Sequence, residues 1–258
     1  MLAKKSLGQN FLTNTGIVAS IADAASLVFG ETVLEIGPGK GILTEELLKR
    51  GAKVVAVEKD RELIPFLREK FKKETDNGQL MLICDDILNF QFPISNFQND
   101  EYKLVANIPY YITGQILRKF LIAEKQPSNM VLLVQKEVAE RIIAKDGKES
   151  LLSISVKAYG KPTYIKTVKA GSFTPAPKVD SAILLIDDIS RDFFADISEE
   201  RFFEVLHAGF AHKRKQIFGN LRAVFDEKAL REKMKKIGIP ENIRAEDVSL
   251  SEWKKLSE

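Results

Sequence analysis

Asn107-Ile108-Pro109-Tyr110 sets a side-chain amide, a rigid turn and an aromatic ring in immediate succession. These types suit a planar amino group such as N6 of adenine, whose lone pair is delocalised into the ring and is a poor nucleophile. The Asn107 oxygen and a backbone carbonyl near Ile108 can each accept one N–H bond. That holds the nitrogen toward tetrahedral geometry and stabilises the positive charge that develops during attack. Pro109 has no N–H to compete and fixes the turn. Tyr110 can stack on the base, with Tyr111 as a second aromatic. No general base is needed, because the product ammonium can lose its proton to water; the only histidines are His207 and His212.

A second segment, Glu35-Ile36-Gly37-Pro38-Gly39-Lys40-Gly41, can build a ligand pocket. Glycine lets a ligand approach the backbone with no Cβ in the way. A dinucleotide fingerprint wants G-x-G-x-x-G, and this chain has G-x-G-x-G. An acid at Glu35 suits a sulfonium cofactor with a free amino group better than a pyrophosphate. Glu58, 21 residues after Gly37, stands at the end of the next apolar run and can accept from both ribose hydroxyls. Asp85 or Asp86, after a third apolar run, can accept from the cofactor's adenine amino group. Together the segments imply methyl transfer from S-adenosylmethionine to an exocyclic nitrogen.

Strands must carry these residues to one place. Thr32–Ile36, Lys53–Val57, Leu80–Cys84, Tyr102–Ala106 and Met130–Val134 are short apolar runs that read as buried strands. Thr44–Arg50 reads as a helix with acids early and bases late, and Asp60–Lys73 as an amphipathic helix with Leu63, Phe66, Leu67 and Phe71 on its apolar face. Alternation of this kind predicts an α/β, Rossmann-like sheet whose carboxyl edge holds the ligand. Thr75–Gly78 and Pro93–Asp100 read as loops. Leu151–Tyr159 reads as a helix, and Tyr164–Val168 with Ala182–Ile186 as a strand pair around Phe173. Residues 187–198 read as a linker, followed by helices from Ser198 with Phe202, Phe203, Leu206 and Phe210 at helical spacing, at 213–224 and at 227–237. The predicted domains are 1–188 and a small all-helical 189–258.

Length and charge set the bounds. The 258 residues with 45% hydrophobic content support a sizeable core. No apolar run reaches the roughly 18 residues of a spanning helix, no secretory signal is visible, and the one cysteine, Cys84, reads as a core thiol in a reducing cytoplasm. No Cys/His cluster has metal-ligand spacing, so no metal is expected. The net charge is only +3, yet Asp187–Glu204 holds seven acids and two bases, while His207–Arg222 holds four bases and no acid. The basic run, beside Phe210, Gln216 and Asn220, reads as a phosphate-contacting surface.

Over nearly its whole length the chain resembles the small-subunit ribosomal RNA adenine N6,N6-dimethyltransferases. Gln9-Asn10-Phe11-Leu12 is similar to the family's amino-terminal cofactor motif, Glu35–Thr44 to its glycine motif, and Asn107–Tyr110 to its catalytic motif. The resemblance implies cofactor contacts from Asn10 and Leu12, from Glu35, Gly37 and Gly39, from Glu58 and Lys59, from Asp86 and Ile87, and from Asn107. It implies Asn107, Pro109 and Tyr110 at the reacting nitrogen, with Phe173 of the Phe173–Ser181 motif as the second stacking face for the base. It also implies RNA contact by Lys213, Arg214, Lys215 and Asn220. Tyr111, Lys213, Gly219 and Asp85 depart from the common pattern, and none of them removes a cofactor ligand or the catalytic Asn. The expectation is dimethylation of N6 on two adjacent adenosines near the 3′ end of small-subunit rRNA, by a monomer acting on the small ribosomal subunit. Alternatives are the large-subunit rRNA methyltransferases of the macrolide-resistance type, a DNA adenine methyltransferase, and a non-catalytic assembly factor on the same fold.

Overall fold

The computed structural model describes residues 3–4, 7–91 and 101–258; Lys5 and the loop expected at 93–100 lie outside them. The chain opens with β1 (Phe11–Leu12) and α1 (Thr15–Ala24), then alternates through β2 (Thr32–Ile36), α2 (Ile42–Lys49), β3 (Lys53–Glu58), α3 (Leu63–Lys70), α4 (Lys72–Asp76), β4 (Leu80–Cys84), β5 (Lys103–Asn107), α5 (Thr113–Leu121) and β6 (Met130–Gln135). These five central strands pair in parallel in the order β4-β3-β2-β5-β6. β2 is buried along its whole length, and strands covered on both faces read as continuous apolar runs. The strand order reverses between β2 and β5, which opens a crevice at their carboxyl ends.

Helices α6 (Lys136–Ile142) and α7 (Leu151–Lys157) precede β7 (Lys161–Val168), β8 (Phe173–Thr174) and β9 (Ser181–Asp187). β9 runs antiparallel to β6, with Ser181 opposite Gln135, and β7 lies at the edge beside β9, which completes a seven-stranded sheet among the described residues. β8 pairs instead with β1, setting Phe173 opposite Leu12. This is the Rossmann-like α/β sheet expected.

Details differ from the sequence reading for local reasons. The helix expected over Asp60–Lys73 breaks at Phe71 (φ −113°), whose ring is buried so close to Gly41 that a Cβ there would sit 2.5 Å from it. Phe66, expected on the apolar face, is 39% exposed. The expected loop at Thr75–Gly78 starts later, because α4 runs to Asp76. Cys84 is exposed rather than a core thiol, since β4 is the edge strand and opens to solvent at its end.

The chain divides into two compact units, 1–139 with 163–189, and 140–162 with 190–258. Residues 140–162, assigned by sequence to the first domain, belong to the second unit. Ile154 and Ala158 share its apolar core with Phe202, Leu206 and Trp253. That unit also holds α8 (Glu199–Gly209), α9 (Ile217–Leu221), α10 (Glu227–Ile237) and α11 (Leu250–Ser257). Ser198 and Asp226 cap α8 and α10, and Ser249 with Glu252 forms a capping box on α11. The expected linker is not bare: Phe193 and Phe194 pack edge-on against Phe202 at 5.1 and 5.7 Å.

Candidate active site

A cavity of about 350 Å³ opens at the carboxyl ends of β2, β3 and β5. Each element brings a residue whose chemistry the sequence singled out. After β2 the chain turns through Gly37 (φ +65°) and Gly39 (φ +59°), backbone that side chains rarely adopt. A Cβ on Gly39 would come within 3.0 Å of the Phe11 ring. Glycine is favoured there by its conformation, and the Phe11 ring leaves little space for a side chain.

Four acids line this cavity, in different states. Glu35 is fully buried within β2, and one of its carboxylate oxygens has no hydrogen-bond partner. Burial pushes its carboxyl up to about 8, so it keeps its proton at neutral pH until a cation is set beside it. Glu58 ends β3; its oxygens accept from the Gly39 N–H at 3.1 Å and the Asp60 N–H at 2.8 Å. Burial raises this carboxyl too, against the pull of those backbone donors. Asp86 is held the other way. The Lys59 ammonium donates to it at 2.8 Å and lowers its pKa, and the Leu88 N–H donates at 3.0 Å. Asp85 caps the Asp86 N–H and is exposed.

Asn107 is the last residue of β5. Its Nδ2 donates to the Asn10 carbonyl at 3.2 Å, which leaves Oδ1 as the atom able to accept from a substrate amine. Pro109 (φ −58°) starts the turn, and its carbonyl accepts from the Ile112 N–H at 3.2 Å. The Tyr110 hydroxyl and Ser181 Oγ share a hydrogen bond of 2.7 Å, which fixes the ring half-buried at the cavity. Tyr111 is 62% exposed. Asn10, Leu12, Lys59, Asp86, Ile87 and Pro109 join Glu35, Gly37, Gly39, Glu58, Asn107 and Tyr110 around this one cavity.

Phe173 does not join them. Its ring is 4% exposed and lies in the apolar core with Phe11, Leu12 and Val168. The β1–β8 pairing draws it inward. The expected second stacking face is therefore a core residue in this geometry.

The basic run of the helical unit is also only partly as expected. Lys213, Arg214 and Lys215 are exposed on a turn, not in a helix, which begins only at Ile217. Asn220 is 4% exposed, and its Nδ2 donates to the Gly209 carbonyl at 2.7 Å and the His212 carbonyl at 3.2 Å. It braces the turn that displays the three bases, and its side chain is buried beneath that turn rather than on the surface.

A family model described as ribosomal RNA adenine dimethylase matches residues 1–258. The chain belongs to the ribosomal RNA adenine dimethylase family. "Ribosomal RNA small subunit methyltransferase A" of Dehalococcoides mccartyi is 44% identical over 98% of this chain and 87% of that protein. The protein of the same name from Fusobacterium nucleatum is 38% identical over 97% and 94%. Among solved structures, a dimethyladenosine transferase from Plasmodium falciparum superposes with a TM-score of 0.82 at 27% identity, covering 95% of each chain. The 23S rRNA methyltransferase ErmE superposes with 0.80 at 26%, covering 96% of this chain and 98% of that one.

In this adenine dimethylase the sequence reading missed the residues that hold the named ones still. Ser181 was visible as part of a motif, but only the β6–β9 register sets it against Tyr110. Asn10 was expected to touch the cofactor, and its backbone carbonyl proves to anchor Asn107. Leu88 was visible only beside Asp86, and Asp60 and Gln115 carried no signal that sequence alone could weigh.

Proposed function

We propose that this adenine dimethylase transfers methyl groups from S-adenosylmethionine to N6 of adjacent adenosines near the 3′ end of small-subunit rRNA, acting as a monomer on assembling small subunits in the cytoplasm. The observation that carries the reading is the fixed Asn107 amide beside a cavity lined by Glu35, Glu58 and Asp86. The cavity fits the cofactor. Its volume suits a small molecule, its glycine turn leaves room for a backbone approach, and the unpartnered Glu35 oxygen answers a cationic amino group. When bound, the cofactor supplies an electrophilic methyl group on a sulfonium.

The protein's own residues do the rest. Glu58 would take the ribose hydroxyls, and Asp86, steadied by Lys59, the adenine edge. Asn107 Oδ1 and the Ile108 carbonyl would accept the N6 hydrogens and stabilise the cation forming there. Tyr110 would stack on the extruded base, which must leave its helix to be reached. The exposed Lys213-Arg214-Lys215 turn would meet phosphates. The near-equal structural likeness to ErmE means that the fold does not separate small- from large-subunit substrates; the identity to the small-subunit proteins favours the former.

Labelled S-adenosylmethionine incubated with unmethylated small subunits, large subunits and naked rRNA tests the reading. Label on N6,N6-dimethyladenosine from small subunits is expected. Transfer only to large subunits, or no transfer at all, overturns it.

A further inference from the structure

Asp60 lies two residues beyond Glu58, is 5% exposed, and stands behind the cavity rather than in its wall. Its carboxylate accepts three hydrogen bonds. Oδ1 accepts from the Lys4 ammonium at 2.7 Å and the Glu62 N–H at 3.1 Å, and Oδ2 accepts from the Gln9 side-chain amide at 2.9 Å. Lys4 and Gln9 are themselves joined, because the Lys4 N–H donates to Gln9 Oε1 at 2.7 Å. Asp60 therefore ties Gln9 to the end of β3 and shares Lys4 with Glu62, whose carboxylate stands 2.9 Å from the same ammonium. Both neighbours of Gln9 touch the catalytic segment. A Cβ on Gly8 (φ +61°) would come within 3.0 Å of the Tyr111 ring and 3.5 Å of the Pro109 side chain. The Asn10 carbonyl accepts from Asn107 Nδ2 at 3.2 Å. A connected path runs from Asp60 through Gln9 and Asn10 to Asn107.

The path matters because a side-chain amide has two faces. Turned over, Asn107 would present its NH₂ to a substrate amine and repel it. The bond to the Asn10 carbonyl distinguishes the two orientations, and the peptide that carries this carbonyl is held between Phe11, anchored in β1, and Gln9, anchored by Asp60. Resting on the reading of Asn107 given above, we infer that Asp60 is a positioning residue for methyl transfer: by fixing Lys4 and Gln9 it sets the Asn10 carbonyl that orients the catalytic amide. The neighbouring strands have supports besides Asp60. Phe11 and Leu12 stay anchored by the β1–β8 pairing and the core. The Asp60 N–H that serves Glu58 survives any side-chain change.

The test is a double-mutant cycle on single-turnover methyl transfer at saturating S-adenosylmethionine, with thermal midpoints measured alongside. Asp60→Ala should slow transfer on the order of tenfold, the scale of a misplaced reacting group, and lower the midpoint through its three lost hydrogen bonds while the protein stays folded at the assay temperature. In an Asn107→Ala background the same substitution should have almost no effect, because its target is gone. An equal slowing in both backgrounds, or no slowing in the wild-type background, overturns the inference. Should Asp60→Ala fail to fold, Gln9→Ala decides the matter by the same criterion. If Asn107→Ala alone transfers at the wild-type rate, the clamp reading falls first and takes this inference with it.

Discussion

Glu35 and Asn220 are both buried, both polar, and each leaves one oxygen without a hydrogen-bond partner. Their surroundings differ. Glu35 ends up on the wall of a cavity lined by three further acids. Asn220 sits among Ile217, Leu221 and the rest of the helical core, with its amide spent on two backbone carbonyls. An orphaned buried oxygen costs on the order of 1–3 kcal/mol. At the cavity a bound cation can return that cost; in the helical unit the two donated bonds and the turn they shape are the return. One region holds its unpartnered oxygen at an open cavity, and the other holds its own within a packed core.

The largest expected effect breaks this comparison at its functional end. Asn107→Ala should slow methyl transfer by about 10²–10³-fold, as for loss of one charge-stabilising group, with little change in thermal midpoint. Wild-type turnover by this variant at saturating cofactor would end the clamp mechanism. Asn220→Ala should do the converse. It should destabilise the helical unit by about 1–3 kcal/mol, since the buried Gly209 carbonyl and the part-buried His212 carbonyl lose a donor. Cofactor affinity, measured on folded protein, should not move. A variant as stable as wild type that binds rRNA more weakly would restore Asn220 as a ligand-facing residue.

The same contrast explains what was legible in the sequence. The crevice was legible because backbone constraints and strand ends dictate residue type. Gly37 and Gly39 need positive φ, and Glu58 and Asn107 fall at carboxyl ends of strands that apolar runs betray. Burial was less legible. Phe173 and Asn220 lie in motifs that read as ligand-facing, yet both are turned inward by pairings remote in sequence, β1 with β8 and Asn220 with Gly209. The excursion of residues 140–162 into the helical unit was hidden for the same reason. α7 looks like any amphipathic helix until Phe202 and Leu206 are packed against it. The exposed Cys84 shows the reverse error, an apolar strand taken as covered although it lies at the sheet edge.

A smaller effect sharpens the surface side. Replacing Lys213, Arg214 and Lys215 with Ala should weaken small-subunit binding and flatten its salt dependence. The log–log slope should fall by about 0.7–0.9 for each phosphate no longer neutralised. Cofactor affinity should stay the same, because the glycine crevice contains none of the three. Binding measured at several salt concentrations checks this. An unchanged slope would place the phosphate-binding surface elsewhere and leave the turn that Asn220 braces without a role.

The smallest effect reports directly on the orphaned oxygen. Burial holds the Glu35 carboxyl at about 8, against an ordinary value of 4.5. The sign of the stability linkage is set by that shift. The folded protein binds this proton more tightly than the unfolded chain, so the contribution is complete below about 4.5 and is lost as pH rises toward 8. A cationic amino group placed beside Glu35 would stabilise the ionised form and pull its pKa down. S-adenosylmethionine binding near pH 7 should then release a fraction of a proton approaching one. Titration calorimetry in two buffers of different ionisation enthalpy reads that release as a difference in apparent heat. Glu35→Gln, which keeps the shape and removes the titration, should make the heats converge, and so should raising the pH well above 8 for the Glu35 component. If wild-type heats at pH 7 do not depend on the buffer, no cation meets Glu35. Its unpaired oxygen would then be a structural cost like that of Asn220, and the two regions would no longer differ.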